Sequence, residues 1–201
     1  MPVPEQPPLL LHSAFRVSAI SAVWTLLASA AAIVIGLVGD SLALVAFGVV
    51  GILDCTASVA LVAHFRDARS GGTAEHLERI ALRIVTIGLV AVGLATGVVS
   101  TMHLVDRQQA DGSSLNVALA AISLVALSVL SARKHYISVR LPSHALLADS
   151  HLSAVGAVLA AVTLGGTAAS SSLGWWWADP VAALAIAAVA IGLGIMLRRE
   201  P

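Results

Sequence analysis

The chain has 201 residues, 58% of them hydrophobic and 11% charged, with acids and bases in equal number. Soluble domains carry about 25% charged residues, so an ordinary soluble fold is excluded. Zero net charge, with no basic cluster interleaved with aromatics, also excludes a nucleic-acid partner. What remains is an all-α, polytopic protein with the lipid bilayer as its first partner.

In chain order, the start MPVPEQPPLLLH is proline-bearing and lacks a basic n-region. It predicts a disordered tail over 1–13 rather than a cleaved signal peptide, and a membrane domain over 14–201. Six apolar runs follow, at 14–38, 41–64, 80–105, 115–130, 143–164 and 179–197. Together they predict a six-transmembrane-helix bundle. Gly39 and Asp40 make a tight hairpin between the first two runs. The later connections are RDARSGGTAEHLER, DRQQADGSS, ARKHYISVRLP and GTAASSSLGWWW, each polar or glycine-bearing. Pro142 stands near the first turn of the fifth helix, and Asp179 before Pro180 reads as the N-terminal cap of the sixth.

Basic residues set the orientation. Arg66, Arg69, Arg79 and Arg83 flank the second connection, Arg133, Lys134 and Arg140 fill the fourth, and Arg198 and Arg199 close the chain; the other side carries only Arg107. Lys and Arg accumulate on the cytoplasmic side, so both termini are expected in the cytoplasm, in a plasma (inner) membrane, multi-pass. Trp175, Trp176 and Trp177 then fall at the outer interface, where indole rings partition well. Gly93 and Gly97, with Gly192 and Gly194, allow close helix packing within the bundle.

One side chain breaks the apolar pattern. Asp54 sits near the middle of SLALVAFGVVGILDCTASVALVAH, about 18 Å along a helix from Arg66. A charge at that depth costs roughly 2.5–3.5 kcal/mol, so the acid faces protein or water and is a functional-site residue by default. Its neighbour Cys55 is the only cysteine, which excludes an intrachain disulfide, and it reads as a small buried apolar residue.

Four stretches, in order, resemble one family. SLALVAFGVVGILDCTAS, EHLERIALRIV, SHALLADSHLSAVGAVL (with S-x-A-L-x-A-D) and GWWWADPVAALAIAAVAI (with W-x-D-P-x-A-A) are similar to the second, third, fifth and sixth spans of the cation diffusion facilitators. The resemblance covers nearly the whole transmembrane domain of that cation efflux family. It implies a six-span secondary transporter, a homodimer, exchanging a divalent metal cation, commonly zinc, for protons. It also implies a transport site of four ligands, two on the second span and two on the fifth. Carried over, these positions hold Val50, Asp54, Leu152 and Gly156, of which Asp54 alone is a ligand. Many members continue into a cytoplasmic metal-binding domain; this sequence ends at Pro201, and none is expected here.

Two residues of the fifth run stand in for the missing ligands. His151 matches the depth of Asp54 better, at about 16 Å from Arg140 against about 13 Å for Asp149. Facing favours Asp149, which lies within about 60° of the Leu152 and Gly156 face, whereas His151 is turned about 100° from it. Tilt blurs depth more than facing, so the expected metal site is Asp54 with Asp149, and His151 as second choice. No CxxC, HExxH, GxSxG or phosphate loop is present, so neither an enzyme nor a bound cofactor is expected beyond the transported ion, zinc or another divalent cation. The alternative is a transport-inactive structural or regulatory subunit that keeps the bundle and has lost the metal site.

Overall fold

The computed structural model describes residues 8–67, 74–108, 113–140 and 144–199, and within them the chain is all-helical. Six helices follow the six apolar runs: α1 (Pro8–Val38), α2 (Leu42–Asp67), α3 (Ala74–Asp106), α4 (Ser114–Arg140), α5 (His144–Leu173) and α6 (Ala178–Arg199). Five hold stretches long and apolar enough to cross a membrane, namely Ala19–Val38, Val85–Asp106, Ser114–Ile137, Ser153–Leu173 and Ala178–Met196. The described apolar stretch of α2 is shorter, Leu42–Thr56. Leu27, Val34, Ile87, Leu94, Val125, Val158 and Met196 are exposed on outward faces. Helices apolar on the outside as well as the inside suit lipid rather than water.

Inward faces are made of small residues around a few large ones. Ala32, Ala43, Ala46, Ala120, Ala160, Ala183 and Ala190 are buried, with Leu44, Phe47 and Ile186 between them. The most extensive packing joins α1 to α2, α3 to α6 and α4 to α5. Gly48 shows why α1 and α2 approach so closely. A Cβ there would lie 2.6 Å from the Ser29 carbonyl oxygen, so only glycine admits the α1 backbone.

Three hairpin connections meet at one end of the bundle. α1 closes at Asp40, which takes a left-handed φ of 47°, and the Ser41 N–H returns to the Gly36 carbonyl at 2.9 Å. This is the outer bond of a Schellman motif. Glycine stands one residue earlier, at Gly39, where a Cβ would come within 2.8 Å of the Asn116 amide of α4. α3 closes the same way, with Arg107 at φ 53° and the Gln108 N–H on the His103 carbonyl at 3.0 Å. Gly174, at φ 64°, turns the chain out of α5.

Side chains cross-link this end. The buried carboxylate of Asp179 accepts from Ser41 Oγ at 2.6 Å and from the Ala43 N–H at 3.3 Å. Ser41 Oγ in turn accepts from the Leu44 N–H at 3.2 Å, as the N-cap of α2. Asp179 was expected to cap its own helix. Its oxygens instead serve the first turn of α2, where a negative charge meets the positive end of the helix dipole. Arg107 lies over the Trp176 ring at 5.9 Å, and Trp175 and Trp177 stack with centroids 5.2 Å apart.

Two helices outrun their apolar cores. α4 continues through ARKHYISVR, expected as a loop, to Arg140, and α5 continues through GTAASSS to Leu173. In α5 the hydroxyls bond back to helix carbonyls, Thr163 to Leu159 and Thr167 to Thr163, both at 2.9 Å, which lets small polar residues stay helical without solvent. α1 begins at Pro8, so 8–13 of the expected tail are helical; 1–7 lie outside the described residues.

Candidate functional site: a cavity beside Asp54

All six helices contribute to one cavity of about 190 Å³ inside the bundle. α1 supplies Trp24, Thr25 and Ser29, α2 supplies Phe47, Val50, Gly51 and Asp54, and α5 supplies Ser153, Gly156 and Leu159. Leu89 of α3, Leu127 of α4 and Leu193 of α6 complete the wall. Helical spacing puts Phe47, Val50, Gly51 and Asp54 on one face of α2, at successive intervals of three, one and three. Gly51 keeps that face open toward α1, because a Cβ there would collide with Ser29 Oγ.

The positions singled out in the sequence converge here. Val50, Asp54 and Gly156, three of the four carried over from the resemblance, line the same cavity. Among the described residues Asp54 is the only carboxylate lining it, and it is half-buried. Val50 offers only methyl groups, and Gly156 has no side chain at all. The backbones of Asp149, His151 and Leu152 belong to α5, but their side chains lie outside the described residues. The Asp54 and Asp149 pairing, with His151 beside it, therefore has one described member. Among the described residues no cluster of three or more His, Cys, Asp or Glu is arranged to hold a metal ion.

Other polar groups reach the cavity wall that the sequence reading did not single out. The Lys134 ammonium, on a side chain only 2% exposed, donates to Ser153 Oγ at 2.9 Å. Expected in a loop, Lys134 instead sits inside the bundle, because α4 runs past it. One step along the same interface Ser131 Oγ donates to the Ser150 carbonyl at 3.1 Å, so hydroxyls stitch α4 to α5. Trp24 presents an indole Nε1–H that is buried and makes no hydrogen bond to the protein among the described residues. Cys55 is buried beside Asp54 on α2, with Sγ 3.6 Å from the Ala22 carbonyl of α1, away from the cavity lining.

A signal for Lys134 was present in the sequence. Asn116, Ala120, Ser123 and Leu127 recur at intervals of four, three and four along α4, all buried, and Lys134 extends that stripe by two turns. The charges around it hid the continuation. Nothing in the spacing of Trp24 marks it as a cavity residue, since one aromatic in an apolar run fits any face.

Chemically, the described residues of the arrangement offer one acid, three hydroxyls (Thr25, Ser29 and Ser153), one indole donor and a wall otherwise of carbon. Comparison with known proteins adds no identity: no family model matches the chain, and no curated protein matches it either.

Proposed function

We propose that the chain is a secondary transporter exporting a divalent metal cation, zinc or similar, through a six-span bundle in exchange for protons. In this reading it is a divergent relative of the cation diffusion facilitators, a homodimer in the plasma (inner) membrane with both termini in the cytoplasm. One observation carries the reading. Val50, Asp54 and Gly156, which the resemblance brings together from two distant segments, border one cavity. The placement of charge supports the orientation: the end with the three hairpins carries Arg107, and Arg198 and Arg199 close α6 at its other end.

The inward-facing state takes the cation from the cytoplasm onto Asp54, with Asp149 and His151 as further ligands from α5. Binding displaces protons, because a carboxylate must ionise to bind a metal. Tilting of one helix group against the other then exposes the site outward, and external protons drive release. The test is uptake of zinc, manganese, iron and cobalt into proteoliposomes under a pH gradient, with and without Asp54→Asn. Flux that falls at least tenfold in the variant is expected. Flux no greater than in empty vesicles overturns the reading.

A second reading, a transport-inactive structural or regulatory subunit, is favoured by a specific observation. Two of the ligand positions in the cavity, Val50 and Gly156, lack donors, and the hydroxyl of the lining Ser153 already accepts from the Lys134 ammonium. In that case Asp54→Asn leaves assembly and cellular phenotype unchanged, and the chain co-purifies with a partner protein.

A further inference from the structure

We infer that the open groove between α3 and α6 holds a phospholipid with an ammonium headgroup, of the phosphatidylethanolamine type, from the leaflet at the hairpin end. One acyl chain lies along the groove, and the headgroup rests on Asp106 and Arg107. The inference goes beyond the transporter reading and needs only that the bundle spans a bilayer.

Shape is the first argument. The groove has a volume of about 690 Å³ and is walled by Leu94, Val98 and Met102 of α3 and by Leu184 and Ala188 of α6. It runs from Gly93 to Asp106, about 20 Å along a helix. Asp106 closes the apolar stretch Val85–Asp106, which places it at headgroup level. The groove below it then covers one leaflet of a hydrocarbon core about 30 Å thick. Gly97 forms the floor. A Cβ there would meet nothing within 4 Å, so no described helix of this chain requires a glycine at that point. Among the described lining residues the one hydroxyl, that of Thr101, donates to the Gly97 carbonyl at 2.7 Å, which leaves the surface apolar. Lipid tails and side chains are equally apolar, so close fit decides what stays in such a groove.

Charge is the second argument. Asp106 is exposed, and no hydrogen bond or ion pair ties its carboxylate to another described residue. Arg107, next in sequence, lies over the Trp176 ring at 5.9 Å, a contact that neutralises no charge. Acid and base side by side present a zwitterion where the groove reaches the headgroups. A headgroup with an ammonium is its complement: the ammonium donates to the Asp106 carboxylate and the phosphate accepts from Arg107. A phospholipid without an ammonium satisfies Arg107 alone and leaves Asp106 beside its phosphate, like charge against like.

A second copy of the chain is the competing occupant of this face. A twofold contact centred there would lay the groove against its own image, hollow against hollow, and leave the space above Gly97 unfilled. A flexible acyl chain fills it.

Native mass spectrometry reads the outcome, on chain released from nanodiscs made of equal parts phosphatidylethanolamine and phosphatidylglycerol with identical acyl chains. The two lipids share tails and phosphate and differ in the ammonium. The unaltered chain is expected to retain phosphatidylethanolamine over phosphatidylglycerol at least fivefold. Gly97→Phe, which fills the groove, is expected to lower that retention at least fivefold, and Asp106→Asn to bring the two lipids level. Equal retention of both lipids by the unaltered chain overturns the inference, and that comparison does not depend on whether either variant folds. A preference that survives Gly97→Phe overturns it too, because the lipid is then held elsewhere. So does a dimer that Gly97→Phe splits while lipid retention stays unchanged, since the groove is then a seam between copies. Lipid preference without metal flux leaves this inference standing and removes the transporter reading; flux without lipid preference does the reverse.

Discussion

Asp179 is 1% exposed, yet both of its oxygens are engaged on a helix more than a hundred residues away in sequence. An acid at that depth is tolerated because it meets a hydroxyl and an N-terminal N–H, groups that favour the charged form. Removing it strands the Ala43 N–H and takes the acceptor from Ser41 Oγ in one step. Asp179→Ala is therefore expected to lower stability by about 2–3 kcal/mol, and Ser41→Ala, which removes the N-cap hydroxyl and one of the donors to Asp179 but leaves the Ala43 N–H paired, by about 1–2 kcal/mol. Unfolding in mixed detergent micelles, followed by helicity, measures both. No local rule could have paired these residues. In the sequence, an acid before a proline at a helix start looks like the cap of that same helix.

At the scale of the helices, apolar periodicity located all six but misplaced their ends wherever small polar or charged residues continued inside the bundle. The reason is the same in α4 and α5. Lys134 finds the Ser153 hydroxyl, and the threonines of α5 find carbonyls one turn back, so none of them needs a loop or solvent. The spacing of Gly93 and Gly97 in α3 also promised more than it delivers. A Cβ at Gly93 would lie 2.6 Å from Ile191 Cγ1 and 2.9 Å from the Ala187 carbonyl of α6, whereas one at Gly97 would meet nothing within 4 Å. Gly93→Ala is expected to destabilise by about 1–3 kcal/mol through overpacking. Gly97→Ala should be neutral or stabilising by up to about 1 kcal/mol from helix propensity. The same micelle unfolding series separates the two, and equal effects would mean that α3 and α6 do not pack as described.

For the whole molecule, the cavity was legible only as a point. Asp54 stood out because a carboxylate in a long apolar run has no local excuse. The wall that gives it meaning comes from six separate helices, and its tryptophan and hydroxyls carry no mark in a one-dimensional pattern. The shared end of the three hairpins makes a prediction about topology. In a Cys55→Ser background, a cysteine introduced at Gln108 is expected to react with a membrane-impermeant maleimide in intact cells, and one introduced at Arg199 to react only after lysis. The opposite result reverses the orientation. The cross-links of the hairpin end also set the leverage of any motion. Asp179 ties α2 to α6, and Arg107 reaches from α3 to the turn before α6. If that end serves as the fulcrum, a tilt of about 10° swings the far tips of spans some 30 Å long by about 5 Å, roughly the pitch of one helical turn.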